Sequence, residues 1–258
     1  MTTIPIVAQN TFREAVRDRV LYNLIFFALL MIGAAVLVGQ ISIGIEREVI
    51  LSLGLTAISV MGLVMAVFIG VGLVYKEMDR RTLYAVLSKP VRRSEFLLGK
   101  FAGLVLTLAV NTALMTVGLL AALAYVERGL SGADAWAIVA VYFILLKLAL
   151  VTAIALLFSC FSSPLLSIVF TLGIYVAGVF APDLRQLGEV SGSRAIGSLA
   201  TALSYLLPNF HNFDAIAAAA HGRAIPGALV AQNTLYAALY IAAVLVAAAA
   251  VFSRRNLK

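Results

Sequence analysis

The sequence predicts an all-α polytopic membrane protein with six transmembrane helices. Two observations carry that reading. Of 258 residues, 63% are hydrophobic and only 12% are charged, and the mean hydropathy is +1.05. A soluble domain is about 25% charged, so the solvent for most of this surface must be lipid. The charges that exist are gathered at the ends of long apolar runs, where they meet headgroups and water. That placement turns the net charge of +7 away from nucleic acid and toward a membrane surface.

The elements run in order along the chain. Residues 1–19 read as an amphipathic interfacial helix. Ile4, Val7, Ala8, Phe12, Ala15 and Val16 fall on one face, and Gln9, Asn10, Arg13, Glu14, Arg17 and Asp18 on the other. Residues 20–258 read as a single transmembrane domain. Its spans are expected at 21–41, 50–74, 95–126, 135–158, 164–180 and 235–252, where a crossing needs about 20 apolar residues; the third is longer than that and is expected to project into the cytoplasm, and the fifth is short. The first is long enough to span and reads as a span rather than a cleaved leader.

Lysine and arginine set the orientation. Arg13, Arg17, Arg19, Lys76, Arg80, Arg81, Lys89, Arg92, Arg93, Lys100, Arg254, Arg255 and Lys258 lie on one side, against Arg47, Arg128, Arg185, Arg194 and Arg223 on the other. Positive charge marks the cytoplasmic side, so both termini are expected in the cytoplasm. The segment 181–234 is then external. Within it, 196–207 is apolar but too short to cross, and reads as a re-entrant or surface helix ended by Pro208. Asp214 can cap a short helix through Ala220, with Gly222 placed to stop it.

The cytoplasmic connection 75–94 is far longer than a turn needs. Residues 77–87 can form a helix parallel to the membrane, with Leu83, Val86 and Leu87 turned inward and Pro90 breaking it. Ser94 is then a suitable N-cap for the third span, with Glu95 favoured in its first turn. Such a helix–break–helix unit can carry movement from a partner into the spans.

Chemistry-bearing groups are few. Lys147 falls near the middle of the fourth span, where a lysine costs about 2.5–3.5 kcal/mol on insertion scales. It reads either as a pathway or switch residue or as a structural hydrogen bond, with no intramembrane acid in this chain to serve as its salt-bridge partner. Gly62, Ala66 and Gly70, and Gly103, Thr107 and Asn111, form stripes of small and polar residues suited to close helix packing. His211 and His221 are too few for a metal, which needs about three or four ligands, and no metal site is expected. No paired carboxylates or Ser-His-Asp set fall on a common surface, so no catalytic residues are expected. Cys160 is the single cysteine and reads as packing. Composition alone leaves room for a scaffold or an ion-motive membrane subunit.

The spelling of residues 77–100 is more specific. Glu77, Thr82, Leu83, Leu87, Ser88, Pro90, Arg93, Gly99 and Lys100 resemble the first cytoplasmic loop of ABC-2 type permeases, the membrane subunits of one class of ABC exporter. Arg81 departs from the glycine usual before the threonine. The run Tyr205-Leu206-Leu207-Pro208-Asn209-Phe210 and the ending Arg254-Arg255-Asn256-Leu257 extend the likeness over essentially the whole chain. It looks nearest to the branch containing the permease of nitrous-oxide reductase maturation systems. The resemblance implies a homodimer or heterodimer of permeases in a bacterial or archaeal inner membrane, surrounded by lipid. Each permease would bind a cytoplasmic ATPase that holds ATP and magnesium. It further implies a coupling role for Glu77, Arg80, Arg81, Thr82, Leu83, Leu87, Pro90 and Arg93. With the first and fifth spans placed near the dimer centre, it suggests Ser167, Thr171 and Tyr175, with Lys147, along the pathway. The chain contains no GxxxxGK[ST] phosphate loop, since Gly99-Lys100 lacks both the upstream glycine and a following Ser or Thr. No cofactor is therefore expected in this chain, and energy must come from the partner.

Overall fold

A computed structural model describes residues 3–42, 44–79, 93–129, 132–183 and 194–254. Nine α-helices run through them, with no strand among the described residues: α1 (Thr3–Val16), α2 (Arg19–Ile41), α3 (Glu46–Asp79), α4 (Arg93–Glu127), α5 (Ala135–Ser159), α6 (Pro164–Val179), α7 (Arg194–Leu206), α8 (Ile216–Ala220) and α9 (Gly227–Arg254). Single 3-10 turns precede α5, at Gly132–Asp134, and α8, at Phe210–Phe213. Among the described residues, α2, α3, α4, α5 and α9 contain segments long and apolar enough to cross a membrane, and α6 is a shorter apolar helix. The fold is the polytopic α-helical one the composition predicts.

Contacts at the helix ends divide the bundle into two poles. Phe96 near the start of α4 stacks on Phe252 near the end of α9, with centroids 6.4 Å apart. Leu97, Cys160 and Ala248 close the same cluster, and α1 lies beside it. This is the basic end. At the opposite end, Arg47 of α3 reaches the last residue of α4, the residue before α5 and the last carbonyl of α8.

α5 is the hub. Leu148, Leu150, Val151, Ala153, Ala155 and Leu156 are all buried, so it packs on every side. Inside lipid no hydrophobic force drives one helix onto another, and close van der Waals fit must hold them together. α3 supplies that fit with a column of glycines. A Cβ at Gly54 would collide with the Leu119 side chain of α4, and one at Gly62 would fall 2.5 Å from Leu148 of α5. Gly70 faces Ala155 in the same column. The outer helices are lipid-like in character, and Phe26, Leu37, Leu235 and Val246 are exposed.

Several bounds differ from those expected. α3 continues to Asp79, so Glu77 extends a span instead of opening a separate helix. α4 begins at Arg93, which puts Ser94 inside the first turn and not at the cap. α9 begins at Gly227, eight residues before the apolar run. Its polar first turns are held by protein: Asn233 Nδ2 donates to the Asn212 carbonyl at 2.6 Å, and Thr234 Oγ1 shares a hydrogen bond with Tyr142 Oη at 2.8 Å. The short helix after Asp214 forms as expected. Asp214 Oδ1 accepts from the Ile216 amide at 3.3 Å, and Gly222 adopts φ +64° after Ala220.

Candidate functional site

Two places gather the residues singled out by sequence. The first flanks the 77–93 segment. Arg80, Arg81, Thr82, Leu83, Leu87 and Pro90 lie outside the described residues. Glu77 lies in the last turn of α3 and Arg93 opens α4. The next turns of α4 are built to receive α1. A Cβ at Gly99 would fall 2.6 Å from the Val7 Cβ, and a Cβ at Gly103 only 2.5 Å from the Ala8 carbonyl oxygen. These two glycines, one turn apart, form a trough in which α1 lies. Lys100 sits between them, 2% exposed, its Nζ 3.9 Å from Glu14 Oε2 of α1 and 5.8 Å from the centroid of the Phe96 ring. Ala15 and Thr11 of α1 are likewise buried. The apolar face expected to rest on lipid therefore rests largely on α4. The Gly99-Lys100 pair seats α1; sequence spacing could have suggested this, because glycines four apart mark close helix approach.

The second place is inside the span region. Lys147, at the midpoint of α5, donates to Ser59 Oγ of α3 at 2.6 Å and is 8% exposed. Among the described residues no acid forms an ion pair with it. The segment after α7 folds back onto α3, α5 and α6. Phe210 and Phe213 plug into the core. The Tyr175 ring packs on Phe210 at 5.1 Å, and Gly178 lets the Pro208 carbonyl approach α6 so closely that a Cβ there would collide with it. Asn209 donates its amide to Tyr236 Oη at 2.9 Å, and Tyr240 Oη donates to the Leu206 carbonyl at 2.5 Å. Residues 208–213 are thus a plug fastened to α6 and α9.

Ser167 and Thr171 share one buried face of α6, with Thr171 Oγ1 donating to the Ser167 carbonyl at 2.6 Å. Ser167 Oγ has no hydrogen-bond partner among the described residues. The face that α6 leaves free carries Leu165, Leu166, Val169, Phe170 and Val176 instead. The hydroxyl pair Ser167 and Thr171 is turned into its own chain. The expected stripes also pack inward: Gly62 and Gly70 meet α5, while Gly103 meets α1. Asn111 is buried, yet its Nδ2 lacks a partner among the described residues.

The family model described as ABC-2 family transporter protein matches residues 6–257. The chain belongs to the ABC-2 transporter family. No curated protein is significantly similar to it. The match embraces α1, the flanks of the 77–93 segment and all the apolar helices, and it is made at the level of the family rather than of the nitrous-oxide reductase branch. The chain is a multi-pass membrane protein and the membrane component of such a transporter, a permease and not itself the ATPase.

Proposed function

We propose that the chain is the permease of an ATP-driven exporter. It works as a dimer, with itself or a sister chain, in the cytoplasmic membrane of a bacterium or archaeon with both termini inside. A separate cytoplasmic ATPase binds ATP and magnesium and docks on residues 77–93. Arg80, Arg81 and Arg93 present charge to it, and Glu77, Thr82, Leu83, Leu87 and Pro90 complete the coupling segment. The observation that carries the reading is the family match from residue 6 to residue 257, which favours a permease over an ATPase-free scaffold.

Closure of the ATPase pushes the segment against the end of α3 and the start of α4. Because α1 is seated in the Gly99–Gly103 trough, movement of the first turns of α4 carries α1 with it. Helix crossing angles then change around α5. Lys147, Ser167, Thr171 and Tyr175 are packed away here and line the pathway when α6 separates from α5.

Affinity purification of the tagged chain from its native membrane in mild detergent, followed by mass spectrometry, tests the assignment. A P-loop ATPase recovered near one to one is the expected result, and Glu substitutions at Arg80, Arg81 and Arg93 should abolish its recovery. An intact, folded chain that repeatedly comes alone would sink the proposal. The pathway is tested separately with Ser167→Cys in a Cys160→Ala background. The new thiol should react with a small maleimide only while ATP is being hydrolysed; equal labelling at rest and during turnover would remove Ser167 from the lining.

A further inference from the structure

The opposite end of the bundle contains an open polar cleft of about 530 Å³ lined by Gln40, Glu46, Tyr125, Val126 and Arg128. Its size falls within the range of about 300–1,000 Å³ typical of small-molecule sites. It lies where three apolar segments reach their limit together: the α2 span ends at Ile41, the α3 span starts at Glu46 and the α4 span ends at Glu127. The cleft is therefore at headgroup depth. Directly beside it, Leu37, Ile41 and Tyr125 are exposed by 65%, 81% and 80%, an apolar and aromatic surface suited to acyl chains and the interfacial belt.

The two charges are not absorbed by the neighbouring ion pairs. Arg47 takes Glu127 and Asp134, and Glu48 takes His221. Glu46 and Arg128 make no ion pair among the described residues; each contributes to the cleft wall.

The backbone at Arg128 adds an independent point. Gly129 donates its amide to the Ala124 carbonyl at 3.1 Å, the six-to-one bond that closes a helix. Arg128 therefore occupies the left-handed position, with φ 56°, where glycine is ordinarily found. A long side chain is strained there. Glycine is present one residue later, at Gly129. An outlier held against its own preference points to a use for the side chain, and the Arg128 side chain lines this cleft.

We propose that this cleft holds the headgroup of a zwitterionic phospholipid with a primary amine, of the phosphatidylethanolamine class. The Arg128 guanidinium receives the phosphate through charge-assisted hydrogen bonds. The Glu46 carboxylate and the Gln40 amide oxygen accept from the ammonium. The chains lie along Leu37 and Ile41. One positive and one negative wall disfavour a headgroup bearing only a negative charge, and a quaternary amine has no N–H to offer Glu46.

Native mass spectrometry of the full purified chain, given phosphatidylethanolamine, phosphatidylcholine and phosphatidylglycerol in equal amounts, reads the preference. Phosphatidylethanolamine should be retained over both others. Arg128→Gly and Glu46→Gln should each weaken it about tenfold, while Arg128→Gly melts no lower than the parent in lipid-free detergent. That last readout separates a binding role from a structural one. Retention unchanged in both variants, or a preference for either other lipid, overturns the proposal. So does a lowered melting point in both variants with binding intact, which means the two side chains serve each other. Soluble glycerophosphoethanolamine binding as tightly as the lipid would overturn the membrane as the source.

Discussion

The two ends of this bundle are fastened by different physics. At the basic end, α1 is held by shape: two glycines let it approach α4, and a long ion pair of 3.9 Å accompanies them. At the opposite end the fastening is polar. Arg47 Nη2 stands 2.7 Å from Asp134 Oδ1, and its Nε 3.3 Å from Glu127 Oε1. Its Nη1 donates to the Ala220 carbonyl at 3.5 Å, and His221 Nδ1 lies 3.1 Å from Glu48 Oε2. Hydrogen bonds from Asn209 and Asn233 tie the plug to its neighbours. A glycine seat has no directional bonds to break, so helices can slide or tilt on it at small cost. A lattice of charge-assisted bonds resists tilting until one member is lost. The difference fits the proposal that an ATPase drives the molecule from its basic end.

Breaking the polar end should have the largest effect. Arg47→Ala removes at once the ion pairs to Glu127 and to Asp134, whose side chain is only 5% exposed, and should lower stability by about 3 kcal/mol, at the lower edge for a broken buried pair. Thermal unfolding in detergent measures it, and Arg47→Ala with Asp134→Ala together should recover part of the loss. A substantial effect is also expected at the other end from Gly103→Leu. The new side chain meets the Ala8 carbonyl, and overpacking of this kind costs about 1–3 kcal/mol. Its signature should be local: amide exchange speeds up in α1 while the plug stays protected. Loss of protection at both ends would mean that they are not independently fastened. Tyr236→Phe removes the partner of the Asn209 amide and should cost about 1 kcal/mol. His221→Ala should cost less than about 0.5 kcal/mol, since both partners are nearly half exposed and pairs in water contribute little.

The apolar helices are legible in the sequence because their signal is local. A run the length of α2 or α5 has few alternatives, and the Asp214–Gly222 unit comes from turn chemistry within nine residues. The features that sequence does not reveal depend on distant partners. Amphipathicity in residues 4–16 marks an apolar face but does not distinguish lipid from the glycine trough of α4. The polar start of α9 looks unfit for a helix until Asn212 and Tyr142 are there to receive Asn233 and Thr234. Lys147 looks solitary because Ser59 is 88 residues away. For the same reason, hydroxyl spacing on α6 identifies a common face for Ser167 and Thr171 without revealing that it turns inward.

The bond between Lys147 and Ser59 also bears on how the chain is made. Synthesis proceeds from the N-terminus, so α3 enters the bilayer before α5 leaves the ribosome. When the lysine arrives, the hydroxyl that will receive it is already at depth, and a segment burdened by about 2.5–3.5 kcal/mol at its centre has a docking partner from the outset. Assembly order and final contacts thus agree, and a chain permuted to place α5 ahead of α3 should insert poorly even though every native contact remains available to it.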